Sequence, residues 1–273
     1  MNTKDMMDVL GKRAAAAIPQ NTEDYVEDGI LFCGRCHTAK QARVMITGKE
    51  TLFASPCMCE KEKDADRDLK KKSSEREKQR KKTFRGIDSL CLATFEADDG
   101  ARPGLVARLK KYVEIFESAK KDGYGLILCG ASGTGKTFHA CQIANALIDT
   151  GKRVIFTDFY SFENEIALSK NRVESIEAYS LADVVILDDF GAWTESAYKN
   201  GLIYQLTNHL YLSRVPTIIT TNMSAKQLGD LAHLPLYRRI LERGHLIPID
   251  DTVNRSKQLA KSYAEKYGAM LSP

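Results

Sequence analysis

Gly130-Ala131-Ser132-Gly133-Thr134-Gly135-Lys136-Thr137 is the stretch on which the fold turns. It fits G-x-x-x-x-G-K-[ST] and stands where that pattern has physical meaning, after the apolar run Gly125-Leu126-Ile127-Leu128-Cys129 and before helical periodicity over 137–150. The glycines let backbone N–H groups converge on phosphate oxygens at a helix N-terminus, where the helix dipole favours an anion. Lys136 offsets charge on the β- and γ-phosphates, and the Thr137 hydroxyl is a Mg2+ ligand. Gly130, Ser132, Gly133, Thr134, Gly135, Lys136 and Thr137 are therefore the expected contacts of a nucleoside triphosphate, ATP in the reading below.

Beyond this loop, helical patterns alternate with short β-rich runs. The patterns predict a helix over 105–120, a strand over 124–129, a helix over 137–150 and a strand over 153–158. Mostly helix follows over 161–180, then a strand over 182–187, a helix over 197–212, a strand over 216–220, and helices over 226–243 and 255–267. Such alternation implies right-handed crossovers and an α/β fold, a parallel sheet with helices on both faces. Val184-Val185-Ile186-Leu187 runs into Asp188-Asp189, a carboxylate pair at the edge where parallel sheets present ligands. Asp188 is expected to hold the Mg2+ shell through water, and Asp189 to orient and deprotonate the attacking water. Thr217-Ile218-Ile219-Thr220 is a further buried strand ending in Thr221-Asn222, whose amide can reach the γ-phosphate or the water. Arg238, Arg239, Arg243 and Arg255 follow; an arginine presented across a subunit boundary would be an arginine finger.

From Thr94-Phe95-Glu96 to Tyr263 the chain resembles the DnaC/DnaI helicase-loader branch of the AAA+ P-loop ATPases, with the IstB transposition ATPases as relatives. The resemblance rests on Thr94-Phe95-Glu96, the phosphate loop, Asp188-Asp189-Phe190-Gly191-Ala192, Thr220-Thr221-Asn222, Arg239-Ile240-Leu241-Glu242-Arg243 and Asn254-Arg255. It implies Asn222 as sensor 1, Arg243 with Arg239 as its rival for the trans-acting finger, and Arg255 as a sensor 2-like residue. Asp189 stands where most AAA+ proteins carry Glu, so the carboxylate is one methylene short and slow hydrolysis is expected, stimulated by oligomerisation or DNA. A helicase loader is thus implied, with single-stranded DNA, a replicative DNA helicase and further copies of itself as partners. An IstB-like helper of DNA transposition is the second reading, and a nonhydrolysing nucleotide-gated adaptor the third.

Cys33-x2-Cys36 and Cys57-x-Cys59 are spaced for a tetrahedral four-thiolate zinc site, and His37 can stand in for one thiolate. Iron–sulfur, bare thiols, and covalent haem through Cys33-x-x-Cys36-His37 are the alternatives to the expected zinc; the second pair is C-x-C rather than C-x2-C, and its presence, with no export signal expected, tells against haem. In the loaders it resembles, the N-terminal module grips the helicase. Cys91, Cys129 and Cys141 read as small buried hydrophobes.

Of 273 residues 43% are hydrophobic and 28% charged, the composition of a globular chain. No apolar run is long enough to span a bilayer and residues 1–20 lack a secretory h-region, so a cytoplasmic protein without a membrane partner is expected. The formal charge of +4 is concentrated between Lys61 and Arg85, where twelve Lys and Arg face six Asp and Glu. Interleaved acids and the lack of an aromatic before Phe84 favour a solvated helical linker there over direct DNA contact. Related loaders and initiators carry an inserted helix facing single-stranded DNA after the second strand, which maps to 160–172. Lys170 and Arg172 are its candidate phosphate contacts, and Phe159, Tyr160 and Phe162 its candidate stacking residues, with core packing the preferred role for these aromatics. The expected division is a helix over 6–18 within a zinc-binding, partner-docking module over 1–60, a basic linker over 61–88, and an ATPase domain over 89–273.

Overall fold

The computed structural model describes residues 23–46, 48–191 and 197–271. The expected helix over 6–18 and Ala192 lie outside the described residues. Two compact units part between Glu75 and Arg76.

In the first unit β1 (Tyr25–Glu27) and β2 (Ile30–Phe32) form a hairpin through Asp28-Gly29, both left-handed, a turn whose twist matches its strands. A second antiparallel hairpin joins β3 (Gln41–Ile46) to β4 (Lys49–Ala54). Neither hairpin was expected from the sequence. Helix α1 (Met58–Thr83) opens in this unit and ends in the next.

The second unit contains a five-stranded parallel sheet: β5 (Gly125–Cys129), β6 (Val154–Asp158), β7 (Val184–Asp188), β8 (Thr217–Thr221) and β9 (Gly244–Pro248), in the order β6-β7-β8-β5-β9. Its central strands are buried on both faces. Leu126, Leu128, Val184 and Ile186 enter one core, while Ile127, Cys129, Val185 and Leu187 alternate into the other. The first core is covered by α3 (Pro103–Glu114), α4 (Phe116–Asp122) and α5 (Lys136–Asp149), after the single turn α2 (Asp88–Cys91). The second is covered by α6 (Phe159–Leu168), α7 (Arg172–Glu177) and α8 (Ala197–Leu212), with α9 (Ala225–Asp230) and α10 (Pro235–Arg243); α11 (Arg255–Leu271) ends the described chain.

Three expected helices are divided. The one over 105–120 breaks at Ile115, whose φ of −92° and ψ of 8° redirect the chain. That over 161–180 becomes α6, α7 and the 3-10 turn Ala178–Leu181, because Asn171 caps a new helix by accepting from the N–H groups of Val173 and Glu174. That over 226–243 becomes α9 and α10, since Pro235 opens a helix but forces Leu234 into extended backbone. Strand β9, beginning directly at the end of α10, is an addition to the expected elements.

The last turns of α1 pack into the second unit. Arg80 Nε donates to Asn145 Oδ1 at 3.1 Å and its guanidinium pairs with Asp149, while Thr83 Oγ1 donates to the Val154 carbonyl at 3.1 Å. Phe84 is buried edge-on against Phe156, ring centroids 5.5 Å apart. No helix among the described residues is long and apolar enough to cross a membrane.

Candidate nucleotide site and cysteine cluster

The phosphate loop joins β5 to α5. A Cβ on Gly130, at φ +138°, would lie 2.2 Å from the Ile249 carbonyl oxygen, so the chain passes there only as glycine. Lys136 is almost buried, and each of its three ammonium donors is used: to Gly130 O at 3.0 Å, Ala131 O at 2.7 Å and Asn222 Oδ1 at 2.8 Å. Burial pulls its pKa below the usual lysine range, with the charges of Asp189 and Asp188 opposing. Buried Thr134 ties the loop to itself through Ala131 O at 3.0 Å.

Around Asp188, two strand ends and the first turn of α5 meet. Thr137 Oγ1 donates to both of its oxygens, at 2.9 and 3.2 Å, and Thr220 Oγ1 to one at 2.6 Å. Burial pushes the Asp188 pKa up, while the two hydroxyls favour the carboxylate. Thr220 also accepts from the Asp189 N–H at 2.8 Å, and its carbonyl from Phe190 N–H at 2.7 Å, which holds Asp189 at a left-handed φ of 52°. Asn222 Nδ2 donates to Asp189 Oδ1 at 2.9 Å, so one amide links Lys136 to Asp189. Ser132, Gly133, Gly135, Lys136, Thr137, Asp188, Asp189, Thr220, Asn222 and Arg255 all face one open cleft of about 850 Å3. The Thr137 and Asp188 oxygens form a hard-donor pair suited to Mg2+.

Residues distant in sequence complete the rim. The N–H of Arg255 donates to Gly133 O at 2.8 Å and Asn254 Nδ2 to Ser132 O at 3.1 Å. The Arg255 guanidinium lies 4.5 Å from the Phe138 ring centroid and pairs with Asp99 at 2.8 Å and Asp98 at 3.6 Å. Asp98, Asp99 and Phe138 were not singled out in the sequence; only their fold-imposed closeness to Arg255 identifies them.

Arg239 and Arg243 lie elsewhere. In the sheet Gly125 pairs with Gly244 and Cys129 with Pro248, so Arg243 stands at the edge opposite the phosphate loop, four residues or roughly 13 Å away along the strands. Its guanidinium stacks 4.1 Å from the Tyr211 ring centroid and donates to Tyr211 O. Arg239 lies 5.0 Å from the Tyr204 ring centroid. Neither enters the cleft of its own chain. Arg238 is exposed, 3.9 Å from Glu242.

In the first unit the Sγ atoms of Cys33, Cys36, Cys57 and Cys59 all lie within 4.8 Å of one another. Cys33 and Cys36 bracket the turn after β2, where His37 N–H donates to Cys33 O at 2.8 Å; Cys57 and Cys59 sit at the start of α1. Four thiolates about 2.3 Å from one ion have sulfurs roughly 3.8 Å apart, so the cluster is compatible with zinc. His37 is outside the cluster, its Nδ1 3.3 Å from the Tyr25 hydroxyl, which removes it as a substitute ligand. Cys129 and Cys141 are fully buried and Cys91 partly so.

Phe159 and Phe162 are core residues, whereas Tyr160 is 48% exposed. Arg172 donates to Gln205 at 3.2 Å and lies 5.7 Å from the Tyr198 ring centroid. Lys170 is exposed.

With this geometry in hand, similarity to known proteins gives the family. DnaC, a replicative helicase loader of Escherichia coli K12, is 27% identical over 146 residues, 52% of this chain and 57% of that protein. DnaI, the replicative helicase loader of Bacillus subtilis 168, is 26% identical over 142 residues, 50% of this chain and 46% of that protein. The chain thus spans about half the length of these relatives. A crystal structure of the DnaC helicase loader shares the fold, with a TM-score of 0.51 and 23% identity over 57% of this chain and 96% of that one. The fold is that of an AAA+ P-loop NTPase. The sequence profile of the IstB-like ATP binding proteins matches residues 58–262, and the chain belongs to that family.

Proposed function

We propose that this protein is an ATP-dependent loader of a replicative DNA helicase. The observation that carries the proposal is the meeting of Lys136, Asn222 and Asp189 beside Thr137 and Asp188 in one cleft, in a chain similar over half its length to two helicase loaders.

In this reading Gly130, Ser132, Gly133, Thr134, Gly135 and Lys136 bind the triphosphate of ATP. Thr137 and Asp188 hold Mg2+, which screens the phosphate charge when bound. Asp189 takes a proton from a water that attacks the γ-phosphorus as the bond to the β–γ bridging oxygen breaks; ADP and phosphate leave. Asn222 positions Asp189 and, through it, that water. Arg255 reports on the nucleotide from the rim, and Arg243, with Arg239 as the rival, stabilises the transition state in a neighbouring subunit of an ATP-dependent oligomer. The short Asp189 side chain makes the ATPase slow until oligomerisation or DNA stimulates it. Cys33, Cys36, Cys57 and Cys59 bind a structural zinc in the helicase-docking module, residues 1–60; residues 61–88 link it to the ATPase domain, 89–273. Single-stranded DNA is the second macromolecular partner, and the cytoplasm the place of action.

The family's name supports one other reading, an IstB-like ATPase assisting transposition. Affinity capture of the tagged full-length chain from its source cell separates them. A hexameric replicative helicase, recovered in an ATP-dependent manner and then deposited on single-stranded DNA in vitro, supports the loader. Recovery of a transposase without helicase supports the second reading and overturns the first.

A further inference from the structure

A second cleft, of about 1350 Å3, opens where the last turns of α1 meet β6 at the edge of the sheet. Its construction is specific. Gln79 donates to Lys152 O at 2.5 Å and Thr83 to Val154 O at 3.1 Å, so side chains one helical turn apart occupy carbonyls two residues apart on an otherwise open strand edge. Phe156, half-buried, lies on the floor with Val154 and is braced edge-on by Phe84.

The charges around that floor are sorted. Lys81 pairs with Glu77 at 2.9 Å and Arg80 with Asp149, whereas Lys78 and Lys82, one turn apart on the same helix face, line the cleft. Arg85 and Arg153 line it too. All four cations are exposed, and none makes an ion pair among the described residues. The single acid of the lining, Glu165, accepts from the Tyr179 hydroxyl at 2.9 Å. Cations converging on a concave surface with low-dielectric walls focus a positive potential there.

We propose that this cleft binds the sugar–phosphate backbone of a single-stranded nucleic acid. A positive groove with an aromatic on its floor is the arrangement that holds backbone phosphates while a base rests on the ring. A duplex, with its bases stacked inside, cannot lay one on Phe156. The inference rests on the nucleic-acid part of the proposed function and moves the contact to α1 and β6. Arg172, by contrast, is already held by Tyr198 and Gln205.

Fluorescence anisotropy of a labelled oligothymidylate, titrated with the full-length chain plus a nonhydrolysable ATP analogue over a range of salt concentrations, tests it. The quadruple variant Lys78→Ala, Lys82→Ala, Arg85→Ala, Arg153→Ala should bind at least tenfold more weakly, and its log K against log salt slope should be shallower by about 0.7 per lost phosphate contact. The charge-keeping variant Lys78→Arg, Lys82→Arg, Arg153→Lys should bind as the wild type does, and thermal melting checks that both are folded. Wild-type affinity and slope in a folded quadruple variant would overturn the cleft while leaving nucleic-acid binding standing. No oligothymidylate binding by the wild type would overturn both readings. Cleft-dependent binding of poly-glutamate without oligothymidylate, or a preference for duplex, also defeats the inference, the former by identifying an acidic protein segment as occupant.

Discussion

Asn222→Ala separates nucleotide binding from turnover. The Asn222 amide accepts from Lys136 at 2.8 Å and donates to Asp189 at 2.9 Å, two hydrogen bonds that each involve an ionised partner. Such bonds contribute about 1.5–3 kcal/mol each when buried. Asn222 is exposed, so water replaces much of each, and about 1–2 kcal/mol for the pair is the reasonable scale. Lys136 keeps Gly130 O and Ala131 O, and the Asp189 backbone keeps its Thr220 bond; the variant chiefly frees the Asp189 carboxylate to rotate. Turnover should therefore fall about 5–30-fold, the equivalent of 1–2 kcal/mol, with little change in ATP affinity.

A double-mutant cycle reads this directly. Asp189→Asn removes the base and should cost about 10²–10⁴ in turnover. If Asn222 acts through Asp189, adding Asn222→Ala to that variant should cost almost nothing further, because there is no base left to aim. Steady-state phosphate release and equilibrium binding of a fluorescent ATP analogue supply the two readouts. An equal loss from Asn222→Ala in both backgrounds would refute the coupling, and full turnover by Asp189→Asn would place the base elsewhere.

Lys136→Ala should abolish measurable ATP binding while the protein still melts cooperatively; unchanged affinity would dismiss the site. Asp188→Asn should abolish turnover yet melt higher than wild type at neutral pH, because burial raises the folded-state pKa of Asp188 and so makes its ionisation destabilising. That gain is present above the folded pKa and fades as pH falls through the carboxylate range; a difference independent of pH would contradict the assignment. Purified protein should carry about one zinc, lost together with first-unit structure in Cys33→Ser, Cys36→Ser, whereas the second unit, with its own core, should still melt cooperatively. Metal analysis returning iron or nothing would reject zinc. Arg243→Ala should leave ATP binding intact but cost about 10³-fold or more in assembly-dependent turnover, and mixing it with Lys136→Ala subunits should restore part of that turnover through hybrid interfaces. No recovery from two folded, associating variants would shift the role to Arg239.

What could be read from sequence follows burial. Strands β5, β7 and β8 are the middle of the sheet, so Gly125–Cys129, Val184–Asp188 and Thr217–Thr221 appear as short buried runs with apolar centres followed by polar or glycine-rich segments, and the phosphate loop, Asp188, Asp189 and Asn222 came with them. Edge strand β6 is still legible over 153–158, but at the β9 edge the signal dissolves. Strand β9, Gly-His-Leu-Ile-Pro, is only partly buried and starts at the residue after a helix ends, with no turn between them. The first-unit hairpins are mostly exposed and carry little apolar alternation. Contacts between segments far apart in sequence, such as Arg255 with Asp98 and Asp99, leave no local trace at all.

The missed edge strand matters for mechanism more than its length suggests. Without β9, Arg243 is merely an arginine near the end of a helix, free to be drawn toward the phosphate loop of its own chain. The pairing of Gly125 with Gly244 fixes that helix end at the opposite edge of the sheet, and Tyr211 holds the guanidinium there by stacking and by its carbonyl. Rotation of one side chain cannot span the intervening four residues of strand. If Arg243 touches a γ-phosphate, the phosphate must therefore belong to another subunit, so the register of a five-residue strand converts a motif into a requirement for assembly.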